Sequence, residues 1–295
     1  MATVITVTAN ALLNFTCTER ISCGQVNRVS QLRTVAEGKG INVGRVLTAH
    51  GHRVIACGFA GGETGALFRQ HLAELGLEDA LTPTAARLRS GFMDGGDAGH
   101  HPTTILEHGF AVSAAEVAAL ADAVTAQLAA ADLVIVCGSV PDPLAAPAYA
   151  TMLLACGQRG IPCWVDSYGP GMDAALNAPP APSLAKPNRE ELARNEGWQR
   201  CAELHITNGP AAIEVQTAEL RLRVTPPPVT EVNPIGSGDC YLGALAHARL
   251  SGMSLEDQLR YASAAGAANA ARADVAAITP AEIEALCAAS SVAPA

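Results

Sequence analysis

The sequence has no cluster of Lys or Arg, and its 19 basic residues are outnumbered by 28 acidic ones for a net charge of -9. This argues against nucleic acid and anionic membrane as partners, because both are recognised through concentrated positive charge. A small-molecule ligand fits better. There is also no uninterrupted apolar stretch of about 18 residues, since charged and amide residues break the Ala-rich segments after Ser113 and Tyr261, so no membrane span is expected. The start, residues 1–7, lacks the basic flank and apolar run of a signal peptide. Nor do the nine cysteines (Cys17, Cys23, Cys57, Cys137, Cys156, Cys163, Cys201, Cys240 and Cys287) ever occur as Cys-x-x-Cys. Odd in number and scattered, they are expected to be reduced thiols of a cytoplasmic protein.

What is present is alternation. Short β-branched runs at residues 4–7, 54–59, 133–137, 162–165 and 204–207 read as buried parallel strands, with amphipathic or Ala-rich segments between them. Ser113 with Glu116, and Thr279 with Glu282, have capping-box spacing and mark two helix starts. At 295 residues the chain can bury a substantial core. Strand and helix in succession imply a mainly parallel α/β sheet with its ligand crevice at the carboxyl ends of the strands. Two polar stretches, 11–33 and 86–108, break the rhythm and read as exposed strands and loops. They either pair as a small β lid or are separate surface loops. Residues 290–295 are expected to be disordered.

Three motifs carry chemistry. Asn233-Pro234-Ile235-Gly236-Ser237-Gly238-Asp239 is a glycine-flanked turn that delivers a carboxylate to the mouth of a helix, where backbone N–H groups and the helix dipole favour an anion. An acid beside an anion-binding turn suits phosphoryl transfer. The bland alternative is an ordinary strand-to-helix connection. Gly38-Lys39-Gly40-Ile41-Asn42-Val43-Gly44 opens a helix that runs to His50 and stops at Gly51. A dinucleotide fingerprint is a poor reading of it, because about thirty residues separate it from the first strand and Glu63 lies in a glycine loop. In Lys186-Pro187-Asn188-Arg189-Glu190-Glu191, Asn188 and Glu191 share a helix face. They either cap that helix or order the water shell of a magnesium ion.

In this order the three motifs resemble the PfkB carbohydrate kinases of the ribokinase-like superfamily, most closely the branch of fructose-1-phosphate and tagatose-6-phosphate kinases, over essentially the whole chain. Cys137-Gly138-Ser139-Val140-Pro141, Val165-Asp166-Ser167 and Gly24-Gln25-Val26-Asn27 are shared as well. The resemblance implies one three-layer α/β/α domain over residues 1–295 with a discontinuous β lid. It makes Asp239 the catalytic base and Gly236, Ser237 and Gly238 the anion hole. Asn14, Gly38, Lys39, Gly40, Asn42, Arg89 and Ser139 would face the sugar. Lys186, Asn188, Thr207 and Gly209 would join Gly236 and Gly238 in binding ATP, and Asn188 with Glu191 would organise Mg2+ through water. Homodimerisation through the lid is implied too.

The departures from the family pattern lie on the acceptor side. Asn14 stands where the branch has an Asp that grips sugar hydroxyls, Gly91 and Met93 where it has Asn and Lys, and Glu37 where it has Ala or Gly. The acceptor, sugar or sugar phosphate, is therefore left open. For any phosphate it carries, Arg89, Lys39, Arg28 and Arg87 are candidate partners. His100, His101, Glu107 and His108 either replace lost contacts or form a solvated loop. A nucleotide- or sugar-binding protein without efficient turnover is the other class to weigh. Cys240 reads as a small buried residue, although a helix N-terminus can also activate a thiol.

Overall fold

The computed structural model describes residues 1–95 and 100–295. With strands and helices numbered in chain order, β1 (Thr3–Thr8), β4 (Arg53–Ala60), β9 (Leu133–Cys137), β10 (Cys163–Asp166), β11 (Leu184–Ala185) and β12 (Glu203–Ile206) pair in parallel in the order β12-β11-β10-β9-β1-β4. Five of these six are the expected apolar runs. The short β5 (Glu78–Asp79) and β6 (Thr82–Pro83) lie beside β4. Both faces of the sheet are covered, so successive residues of one strand enter different cores. Leu133, Ile135 and Cys137 of β9 pack with α1 (Lys39–Ala49), α2 (Gly62–Glu74), α7 (Ser237–Leu250) and α8 (Leu255–Ala270). Val134 and Val136 pack with α3 (Ala114–Gln127), α4 (Ala146–Gln158) and α5 (Pro170–Asn177). The result is three layers.

Both expected capping boxes close, at Ser113/Glu116 for α3 and at Thr279/Glu282 for α9 (Pro280–Cys287). The tail does not behave as expected. Residues 291–294 form β15 (Ser291–Pro294), which pairs antiparallel with β14 (Arg221–Thr225); β14 is antiparallel to β13 (Ile213–Thr217), and β13 is antiparallel to β12. The open edge of β14 satisfies the tail's backbone groups, and Val292 packs against the core beneath it.

A second sheet of four strands runs β3 (Arg33–Glu37), β2 (Leu12–Thr16), β7 (Ser90–Met93), β8 (Thr104–Leu106). It joins the two polar stretches through parallel pairing of β2 with β7. Its inner strand is less exposed than its composition implies, because Leu12, Leu13 and Asn14 are all buried. Of the stretch 86–108, residues 96–99 lie outside the described residues.

Candidate active site

The site is assembled at the carboxyl edge of the main sheet, where α1 and α7 both begin. Asn233, fully buried, donates to Ala273 O at 2.9 Å and accepts from Ile235 N at 3.0 Å, which pins the loop leading into the turn. Gly236 caps α7 with φ 81, a left-handed conformation that favours glycine, and a Cβ there would lie 2.6 Å from Val275 Cγ1. Ser237 N–H donates to Pro234 O at 3.1 Å and Cys240 N–H to Gly236 O at 2.8 Å. The first-turn amides that the helix leaves to a ligand are therefore those of Gly238 and Asp239. The Ser237 amide, expected in the anion hole, has a backbone partner in Pro234 O. The Ser237 hydroxyl accepts from Asn269 Nδ2 at 3.1 Å.

Asp239 is 6% exposed, and Asn42 Nδ2 of α1 donates to its Oδ2 at 2.8 Å. Burial raises its carboxyl to about 6, against the lowering pull of Lys39 and the Asn42 hydrogen bond. Burial pushes the neighbouring Cys240 thiol well up, so the helix end does not activate it. Between α1 and β11 lies an ion triad that sequence reasoning left unassigned. Lys39 Nζ donates to Asp166 Oδ1 at 2.9 Å, and Lys186 Nζ lies 3.1 Å from Asp166 Oδ2. Asp166 has no exposed side-chain surface; burial would raise its carboxyl, but the two ammonium groups overcome this and hold it low. The available signal was compositional: Lys39 and Lys186 are the only lysines in the chain. Lys186 also underlies the anion-binding turn, since a Cβ on Gly238 would lie 3.0 Å from its Nζ.

On the acceptor side, Asn10 Nδ2 donates to Ser139 Oγ at 3.0 Å, and Asn14 Nδ2 donates to Glu37 Oε2 at 2.9 Å. Burial raises the Glu37 carboxyl to about 7, opposed by Asn14 and Arg45 and reinforced by Asp239. Glu37 leads into Gly38 and Gly40 at the start of α1, and Gly40 packs so closely on β1 that a Cβ would meet Thr8 Oγ1 at 2.4 Å. Arg89, expected to face the substrate, instead directs its guanidinium at the backbone, with Nη2 donating to Asn10 O at 2.9 Å and Nη1 to Glu107 O at 3.1 Å. It knits the second sheet to the β1 loop. Arg87 is paired with Glu107 at 2.6 Å.

On the donor side, Asn188 and Glu191 form the capping box of α6 (Arg189–Leu192): Asn188 Oδ1 accepts from Glu191 N, and Glu191 Oε2 accepts from Asn188 N, both at 2.8 Å. Thr207 is bridged to Asn188. With Gly209 it lines a cavity of about 430 Å³ that runs from Gly238 past Pro226 and Val229 to Ala270, with a size and apolar wall suited to a flat heterocycle. A further residue missed in the sequence is Asn269 of α8, fully buried, whose Nδ2 donates to Ile235 O at 2.8 Å and whose Oδ1 accepts from Ala276 N at 2.7 Å. It clamps the turn from behind, and a lone Asn in an Ala-rich helix was its only trace.

A three-layer fold whose sheet holds, at its carboxyl edge, a carboxylate beside a helix N-terminus, flanked by an apolar cavity and a polar one, has the parts that phosphoryl transfer requires. The model of the pfkB family of carbohydrate kinases matches residues 4–282. A 1-phosphofructokinase of Rhodobacter capsulatus is 32% identical over 284 residues, covering 88% of each chain. Among solved structures, phosphofructokinase-2 of Escherichia coli in complex with fructose-6-phosphate superposes with a TM-score of 0.84 over 98% of this chain and 99% of that one, at 24% identity. A Thermotoga maritima protein described as "possible 1-phosphofructokinase" reaches 0.90 over 99% of both chains at 18% identity. At these identities the structural matches establish the fold alone. The chain belongs to the pfkB family of carbohydrate kinases, enzymes that move a phosphoryl group onto a hydroxyl of a carbohydrate.

Proposed function

We propose that this chain transfers the γ-phosphoryl group of ATP to a hydroxyl of a sugar phosphate, as the name of its Rhodobacter relative suggests. The observation that carries the reading is Asp239, a buried carboxylate in the first turn of α7, with one oxygen fixed by Asn42 and the other left for a substrate hydroxyl. At neutral pH a group half-ionised at about 6 is mostly charged, so it orients the hydroxyl and accepts its proton late in a loose transition state. The Gly238 and Asp239 amides and the dipole of α7 face the charge on the moving phosphoryl group, and Lys39 and Lys186 add positive potential close by. The adenine is assigned to the cavity at Pro226, Thr207 and Gly209.

Among the described residues no group of three His, Cys, Asp or Glu could hold a metal directly. The second oxygen of Glu191 and the second lone pair of Asn188 Oδ1 suit a magnesium ion that arrives with the triphosphate, keeps several waters and spreads phosphate charge. A second acceptor class, an unphosphorylated sugar, is favoured by the engagement of Arg89 with backbone carbonyls and of Arg87 with Glu107. We also assign the second sheet as a lid. It exposes Val26, Leu32, Ile105 and Leu106 on its strands and loops, apolar surface that a second copy of the chain would cover, making the working unit a homodimer. No helix among the described residues is long and apolar enough to cross a membrane, which accords with a cytoplasmic enzyme.

The test is phosphoryl transfer from ATP and Mg2+ to a panel of sugars and sugar phosphates by the parent and by Asp239→Asn. The variant should lose roughly 10²–10⁴-fold in kcat with nucleotide affinity unchanged. A variant that turns over at the parental rate would sink the assignment of the base.

A further inference from the structure

Two carboxylates in the crevice each hold an asparagine, Asp239 accepting from Asn42 Nδ2 at 2.8 Å and Glu37 from Asn14 Nδ2 at 2.9 Å. An ionised carboxylate only accepts, so each amide turns its NH2 toward the acid and its oxygen away. Both amide oxygens, Asn42 Oδ1 and Asn14 Oδ1, are buried without a protein hydrogen-bond partner. A buried acceptor without a donor is unfavourable, and a ligand hydroxyl is the donor such a site lacks.

The strand register places the second pair. Glu37 lies opposite Leu12, and Asn14 lies opposite both Val35 and Gly91, so Leu12, Asn14, Val35, Glu37 and Gly91 share one face of the small sheet. Asn14 is 2% exposed, and its Oδ1 lies 2.8 Å from the point where a Cβ on Gly91 would stand. The same point lies 2.7 Å from Leu12 Cδ1 and 2.9 Å from Leu106 Cδ2, so apolar side chains rather than a polar partner stand about it. Glu37 borders a cavity of about 400 Å³ together with Arg45 and Met93, and its carboxyl feels the charges of Arg45 and Asp239.

We propose that Glu37 determines acceptor specificity: it locks Asn14 so that Oδ1 takes one sugar hydroxyl, and its own carboxylate takes a neighbouring one. The ligand class this selects is a polyol face with two adjacent hydroxyl donors. The inference rests on the kinase reading and deepens it. Losing the carboxylate also unlocks Asn14, so the two acceptors fail together.

The test uses Glu37→Gln, close in shape, and the double variant Asn14→Asp with Glu37→Ala, which moves the carboxylate across the hydrogen bond. Steady-state kinetics on the best acceptor and on its deoxy analogues should show the acceptor KM of Glu37→Gln rising roughly 10- to 100-fold, with kcat and the KM for ATP little changed. Discrimination against the deoxy analogues should collapse by a similar factor. The double variant should recover most of the loss relative to Glu37→Ala alone. A Glu37→Gln enzyme with the parental acceptor KM and parental deoxy discrimination overturns the inference, as does a double variant no better than Glu37→Ala. A parent that phosphorylates no member of the panel overturns the kinase reading itself, so the two failures are distinct.

Discussion

Replacing Asn42 by Ala isolates what the fold does to Asp239, the carboxylate proposed as base. Asn42 is 5% exposed and donates to Asp239 Oδ2 at 2.8 Å, a hydrogen bond that favours the ionised form. Hydrogen bonds to charged groups contribute about 1.5–3 kcal/mol, and each pKa unit corresponds to about 1.4 kcal/mol, so losing this one raises Asp239 by roughly one to two units. Its half-ionisation then moves from about 6 to roughly 7–8. The base must be ionised to take the hydroxyl proton, so activity is present above the folded pKa and falls as pH drops through it. At pH 7 the active fraction declines from roughly nine-tenths to half or less, before any loss of orientation. The assay is acceptor kcat/KM from pH 5 to 9 at saturating ATP, read by coupled ADP release. The parent should show an acid limb near 6, and Asn42→Ala a limb displaced upward with a lower plateau. A limb that stays in place would refute the coupling, and a parent with no acid limb would remove Asp239 as the titrating base.

Two other perturbations probe the frame. Gly40→Ala sets a Cβ 2.4 Å from Thr8 Oγ1 and 3.1 Å from Val7 O, so α1 must lift off β1; overpacking of this kind costs about 1–3 kcal/mol, and a melting temperature unchanged from the parent would contradict the close approach. His247 stacks on His50 with ring centroids 4.1 Å apart and lies 2.9 Å from His52 Nε2 through Nδ1, and burial, with these two neighbours, lowers it to about 4. Its folded pKa lies below an unfolded value of about 6.5, so the neutral cluster contributes stability above that pH and loses it as pH falls toward 4. Thermal melts of His247→Gln between those limits should show a shallower acid loss than the parent, and identical slopes would remove the cluster from the acid response.

The central strands were legible because each is buried on both faces and so reads as an apolar run, as in residues 133–137. The antiparallel edge was not: Arg221 and Arg223 alternate with Leu222 and Val224, and β15 exists only because β14, about 70 residues earlier in sequence, offers it an edge. Asp239 and Asn42 were legible as members of local motifs. Their hydrogen bond spans 197 residues and was not. Asn14 and Glu37 each looked like a departure, and only the β2–β3 register reveals them as partners. Arg89 shows the opposite limit, since a sequence cannot say whether a guanidinium meets a ligand or three nearby carbonyls.

The two lysines on Asp166 carry a consequence for anyone handling the protein. Every other side-chain cation is an arginine or a histidine, so Lys39 and Lys186 are the only side-chain amines. Lys39 is 29% exposed and Lys186 only 5%. Amine-coupling chemistry, whether a fluorescent ester, a biosensor chip or a formaldehyde crosslink, has no side-chain target outside the Asp166 triad and is directed to the site proposed for phosphoryl transfer. The same scarcity makes Lys39 a reporter, since an aldehyde-bearing nucleotide analogue that finds its pocket has one accessible side-chain amine to capture.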